Sequence, residues 1–219
     1  MDDTEILNVL SEYSGKSKAG LAPPAVSLDT IAKCREYCRT DECGCYDKYC
    51  SCPPRCGTPQ ERLDVLAHFS KCAVAPIMYE LDYRDAVALK RATKDLQDKA
   101  RAIMLRLKDK GLDCLAFADG GCMYCERCAA LDDEPCRFPA MQIQSVSGNG
   151  ILMMDYLKQS GIESAYQEGH VEMYVVLLYN GDQWQWQSWW SWQVLLLDLD
   201  RVSAMNAAAT SSAFPELPV

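Results

Sequence analysis

The run Cys122-Met123-Tyr124-Cys125-Glu126-Arg127-Cys128, followed by Cys136, constrains this chain more than any other stretch. Four cysteines fall within fifteen residues, and three of them keep the spacing C-x2-C-x2-C. That spacing brings three thiolates to one centre, and it is the first part of the ferredoxin-type run that holds a [4Fe–4S] cluster. Zinc usually takes two separated C-x2-C pairs, so the pattern favours iron–sulfur, with zinc as the alternative. Gly120-Gly121, just ahead of the run, allows a tight turn that can aim amide donors at cluster sulfides.

The thirteen cysteines cannot all pair with one another, and 219 residues are enough to bury a core without covalent staples. The acidic start, Met1-Asp2-Asp3-Thr4-Glu5, is unlike a secretory signal. The longest apolar runs, around Val175–Tyr179 and Val194–Leu197, are too short to span a bilayer. A cytoplasmic location is therefore expected, where thiols stay reduced and serve as ligands or nucleophiles. A net charge of -9 argues against sequence-independent binding to nucleic acid, which needs clustered Lys and Arg.

Eight cysteines lie between Cys34 and Cys72, and five between Cys114 and Cys136. The first group includes Cys34, Cys38, Cys43, Cys45, Cys50, Cys52 and Cys56. In Cys52-Pro53-Pro54 the proline fixes the backbone as it leaves a ligand position. No C-x3-C-x2-C occurs there, so a radical S-adenosylmethionine enzyme is not indicated. Cys50 and Cys114 read as packing thiols. His68 precedes Cys72 by four residues on an expected helix and could share its face, but a surface histidine is the simpler reading. His170 reads as structural or exposed. Gly148-Asn149-Gly150 reads as a turn, with an anion site as the alternative. No Ser/His/Asp set or phosphate-binding loop is visible.

Between the cysteine groups, Arg84 to Lys110 contains no Pro or Gly, and Leu89, Ala92, Leu96, Ala100, Ile103 and Leu107 recur at helical spacing. Gly111 sits at the expected C-terminal cap. The outer face carries nine Lys and Arg against four Asp, a solvated face or a docking surface for an acidic redox partner. Strands are expected at Val74–Leu81, Leu112–Ala118 and Val171–Tyr179, and helices at Pro59–Ser70 and Ile151–Ser160. The expected fold is α+β: a mixed sheet with a long amphipathic helix and cysteine-rich metal-binding loops at its margin. Residues 1–33 read as a helical or loop segment, 34–180 as the metal-binding domain, and 181–219 as a Trp-rich strand and tail. The five tryptophans within Gln183–Gln193 read as a strand covering the sheet, with an aromatic binding platform as the alternative.

These residues resemble the cysteine-rich predicted metal-binding family called domain of unknown function 2284. The resemblance spans 34–180. It rests on Cys43, Tyr46, Cys52-Pro53-Pro54 and Thr58-Pro59-Gln60-Glu61, then on Gly120-Gly121-Cys122 and Cys125-Glu126-Arg127-Cys128-Ala129. Glu134-Pro135-Cys136-Arg137-Phe138-Pro139, Ser145 and Gly150-Ile151 complete it, and Cys38 is the counterpart of an earlier family cysteine. Where the family usually reads Pro-Ser-Met-Glu-Ala-x-Gly-Ile-Asp, this chain has Gln144, Val146, Ser147, Gly148 and Leu152 in place of Pro, Met, Glu, Ala and Asp. Roles that rest on those two carboxylates do not carry over. The resemblance implies metal, iron–sulfur in character, and an association with anaerobic bacteria and archaea.

The expected ligands are therefore Cys122, Cys125, Cys128 and Cys136 for one [4Fe–4S] cluster. Cys38, Cys43 and Cys52, with Cys56 or Cys34 as the fourth, are expected at a second centre. The leading expectation is an electron-transfer protein or a support for a redox enzyme, acting with a redox partner. The alternatives are an enzyme using an open cluster iron on a small molecule or corrinoid partner, and a zinc-stabilised interaction module.

Overall fold

The computed structural model describes residues 1–164 and 167–181; the Trp-rich segment and the tail from Ser203 lie outside them. Along the described chain run α1 (Asp3–Ser11), β1 (Lys18–Leu21), α2 (Leu28–Arg39), α3 (Pro59–Ala67), β2 (Lys71–Glu80), α4 (Ala86–Asp109), β3 (Cys114–Ala118), β4 (Gln144–Ser145), α5 (Met153–Gln159) and β5 (His170–Tyr179). The strands form one mixed sheet in the order β1-β2-β5-β3-β4. β3 and β4 are parallel and the other neighbours antiparallel. The fold is α+β, as the order of elements in the sequence suggested.

Local chemistry sets the helix ends. Asp2 with Glu5, Ser27 with Thr30, and Thr58 with Glu61 make reciprocal capping boxes at the starts of α1, α2 and α3. Asp85 caps α4 through the N–H groups of Val87 and Ala88. Beyond α4, Gly111 takes φ +86° while its N–H reaches Lys108 O and that of Leu112 reaches Leu107 O, a Schellman ending.

Ten register pairs join β2 to β5, from Lys71 opposite Tyr179 to Glu80 opposite His170. Both strands are apolar on both sides because helices cover each face of the sheet. Ala73, Ala75, Val175, Leu177 and Tyr179 pack with residues of α1 and α4. Cys72, Val74, Tyr174, Val176 and Leu178 pack with residues of α3 and α5. Leu96, Ala100, Ile103 and Leu107 of α4 are fully buried. No helix among the described residues is long and apolar enough to cross a membrane.

The sheet also places the cysteines. β3 runs out at Ala118 into Asp119-Gly120-Gly121, from which the second cysteine group departs before the chain returns as β4. The first group occupies the end of α2 and the loop between α2 and α3. Asp119 turns its carboxyl group inward, where it accepts the N–H of Tyr174 at 3.0 Å. Burial outweighs that bond and pushes Asp119 up to about 6.

Two outcomes are expected. Leu96→Ala should cost about 2–5 kcal/mol in denaturant unfolding, whereas Val87→Ala on the exposed side should stay within about 0.5 kcal/mol. The raised Asp119 contribution is fully present below its unfolded pKa near 3.8 and is lost as pH rises through about 6. Stability should therefore fall across that window, and Asp119→Asn should flatten the fall in melts taken at several pH values.

Candidate metal centres

Cys122, Cys125, Cys128 and Cys136 line one cavity. Cys136 reaches it because the chain doubles back through a short 3-10 helix, Ala129–Asp132, ended by Asp133 at φ +58°. Tyr124, Phe138 and Gln142 complete the wall, the two rings edge to face at 5.4 Å between centroids. A fifth thiol enters from the other loop. Cys50 lines the same cavity, its Sγ 3.7 Å from Cys128 Sγ, and its backbone N–H donates to that sulfur at 3.4 Å. Cys50 is thus no simple packing thiol. Burial, then its contact with Cys128, pushes it up to about 11.

α4 supplies support that the sequence reading missed. Thr93, Gln97 and Arg101, four residues apart, are all buried beside the apolar stripe. Gly120, at φ +78°, seats against Thr93, whose Cγ2 would lie 2.5 Å from any Cβ added there. Gln97 donates to Asp119 O at 2.9 Å. Arg101 donates to Asp98 Oδ1 at 2.7 Å and to Met141 O at 2.8 Å, and its Nη2 lies 3.7 Å from Cys122 Sγ. It also stacks 4.8 Å from the Tyr124 ring centroid. The basic face of the helix drew attention in the sequence, but the informative signal was this buried polar row at period four.

The two cysteine loops are joined at a seam. Cys122 N–H donates to Ser51 Oγ at 2.7 Å. At Gly121 an added Cβ would lie 2.6 Å from the Tyr49 ring and 3.2 Å from Cys52 Sγ, so only glycine lets the loops meet.

In the first group, Cys34 and Cys38 lie one turn apart on α2. Burial, then the neighbouring thiols of Cys43, Cys34 and Cys56, push Cys38 up to about 11. Arg35 donates to Cys56 Sγ at 3.3 Å and to Gly148 O at 3.2 Å, which anchors this group on the turn after β4. Of the expected ligands, Cys38, Cys43 and Cys56 are therefore neighbours, together with Cys34. Cys52 lies next to Cys45 and beneath Gly121. Cys45 was not among the expected ligands, yet its thiol donates to Cys43 O at 3.4 Å and links the two subsets.

Other expectations resolve simply. His68 pairs with Asp113, Nε2 to Oδ2 at 2.6 Å, while Cys72 is buried in the sheet. Cys114 packs in the core, with 2% exposure. His170 meets Glu168 O at 3.1 Å. Gly150, at φ +77°, presses against Ile31, so Gly148-Asn149-Gly150 is a packed turn leading to α5, a helix of seven residues.

The donor set is all thiol, the soft ligand type that zinc and iron–sulfur centres take, and burial raises Cys34, Cys38, Cys50, Cys56 and Cys136, so a cation that binds them must displace protons. Among the described residues no three Cys, His, Asp or Glu side chains converge as one metal ion requires. The free space inside the second group is about 10 Å³, so a polynuclear centre requires the Cys122–Cys136 loop to draw outward. Gly121→Ala should lower both bound metal per chain and melting temperature, whereas Gly15→Ala, which meets nothing within 4 Å, should change neither.

Comparison with curated proteins and with solved structures returned no significant match. One family profile matches, described as predicted metal-binding protein (DUF2284), over residues 24–179. That span takes in both cysteine groups, the seam between them and most of the sheet, and the chain belongs to this predicted metal-binding family.

Proposed function

We propose that this chain is an iron–sulfur protein in which Cys122, Cys125, Cys128 and Cys136 hold a [4Fe–4S] cluster and which passes single electrons to a redox protein or enzyme. The observation that carries this reading is the set of five thiols lining one cavity, with a backbone N–H aimed at one sulfur and a buried guanidinium near another. A single tetrahedral zinc would want sulfurs about 3.8 Å from one another, from a Zn–S bond of about 2.3 Å. The C-x2-C-x2-C spacing of Cys122, Cys125 and Cys128, followed by Cys136, is what favours a polynuclear core over that single ion.

Such a cluster supplies one-electron chemistry at a potential set by charge and hydrogen bonds to sulfur. The chain's own residues do the tuning. Cys50 N–H and Arg101 favour the more negative, reduced state. Arg101 also holds the loop through Met141 O, and Tyr124 with Phe138 lines one side of the cavity. Cys34, Cys38, Cys43 and Cys56 form the donor set for a second centre, with Cys45 and Cys52 between it and the first. A reducing cytoplasm is the expected setting.

Protein purified without oxygen should contain iron and acid-labile sulfide in equal amounts and show a broad visible charge-transfer band. A colourless protein with stoichiometric zinc would overturn the reading. Cys125→Ser should abolish the second-group centre while Cys114→Ser leaves metal content unchanged. Arg101→Gln should keep its iron but lower the midpoint potential in a dye-mediated redox titration.

A further inference from the structure

Five thiols line the cavity of the second group, and a cluster held by Cys122, Cys125, Cys128 and Cys136 uses four of them. Cys50 is then the thiol left over, which rests on the four-ligand reading proposed above. It does not stand apart from the others. Its Sγ lies 3.7 Å from Cys128 Sγ, and no other two of the five are in hydrogen-bond contact among the described residues. A disulfide holds its sulfurs about 2.05 Å apart, so closing this pair takes a movement of under about 2 Å.

Both sulfurs are positioned by main chain that is fixed close by. The Tyr49 ring lies against Gly121 and Ser51 accepts Cys122 N–H, so the residues on either side of Cys50 are tied to the opposite loop. Cys50 N–H itself donates to Cys128 Sγ at 3.4 Å. On the other loop Ala129 and Ala130, which follow Cys128, are both buried. The fold thus brings the two thiols together across 78 residues of chain. A small oxidant has access to them. Both are partly exposed, and Cys50 also lines an open cleft of about 450 Å³, with Cys56 and Cys136.

We propose that Cys50 and Cys128 are a site of reversible oxidation, which a peroxide closes to a disulfide when the second group gives up its metal. One thiolate displaces hydroxide from hydrogen peroxide and becomes a sulfenic acid. The other sulfur attacks it, the S–S bond forms and water leaves. Two thiols give up two electrons and two protons, and one peroxide becomes two waters. The link takes Cys128 out of the donor set, so metal returns only after a dithiol reopens it by exchange. Bound metal protects the pair, because Cys128 sulfur is then engaged.

Protein purified without oxygen is divided, one portion keeping its metal and the other stripped with a chelator and freed of reductant. Each receives one equivalent of hydrogen peroxide and then an alkylating agent, and linked peptides are mapped by tandem mass spectrometry. Cys50–Cys128 is expected as the main disulfide among the five thiols of the stripped portion, at least tenfold rarer in the loaded one. Dithiothreitol should remove it and restore metal uptake. A main link from Cys128 to Cys125 or Cys136, or equal yields in the two portions, would overturn the proposal. Cys50→Ser should keep its metal; metal loss with unchanged circular dichroism would also overturn it, by making Cys50 a ligand. Iron and sulfide content before treatment tests the electron-transfer reading separately. A zinc protein that forms the Cys50–Cys128 link refutes that reading and leaves the disulfide standing.

Discussion

At residue 121 the main chain comes so close to the Tyr49 ring and to Cys52 Sγ that no Cβ fits between them. This contact and the neighbouring bond from Cys122 N–H to Ser51 Oγ hold together two loops that are 71 residues apart in the chain. Most of the architecture at the metal end depends on it. Cys50 enters the cavity of the second cysteine group because Ser51 is pinned to Cys122, and the cleft lined by Cys50, Cys56 and Cys136 exists because the two loops lie side by side. One side of the seam is in turn held by α4 through Thr93, Gln97 and Arg101, so the longest helix both covers the sheet and seats the turn that launches the cysteines.

Each cysteine group receives one guanidinium from a helix: Arg101 of α4 reaches Cys122, and Arg35 of α2 reaches Cys56. The arrangement answers an electrostatic problem. Several thiols brought together and partly buried resist ionisation, as the raised values of Cys38 and Cys50 show. A bound metal would supply most of the compensating charge, and the fixed cations at the margin reduce what remains. Both arginines also bond to backbone carbonyls, Met141 O and Gly148 O, so the same side chains that supply charge set loop position.

The regular core was largely legible. α4 follows its apolar stripe to within two residues of the expected ends, and β2, β3 and β5 fall where apolar runs end at turn residues. β1 and β4 were not legible, because four and two residues are too few to show a period. The expected helix from Pro59 to Ser70 stops at Ala67, since Phe69 turns into the core and Lys71 already belongs to β2. At the site, the shared cavity of Cys122, Cys125, Cys128 and Cys136 could be foreseen from spacing because the four are local in sequence. Cys50 and Arg101 could not, because each owes its role to a neighbour that is distant in the chain.

Composition and spacing by themselves determined that this chain is a cysteine-rich α+β protein with one compact set of four thiols after a double glycine. Those features are local: a turn, a repeat of three, a helical stripe. Tertiary structure decided which thiols of the first group are neighbours, brought Cys50 to the second group, drew one basic residue of α4 inward and opened a cleft beside both groups. Such outcomes depend on where β3, β4 and the loop after α2 converge, and no spacing rule along a single chain encodes that convergence.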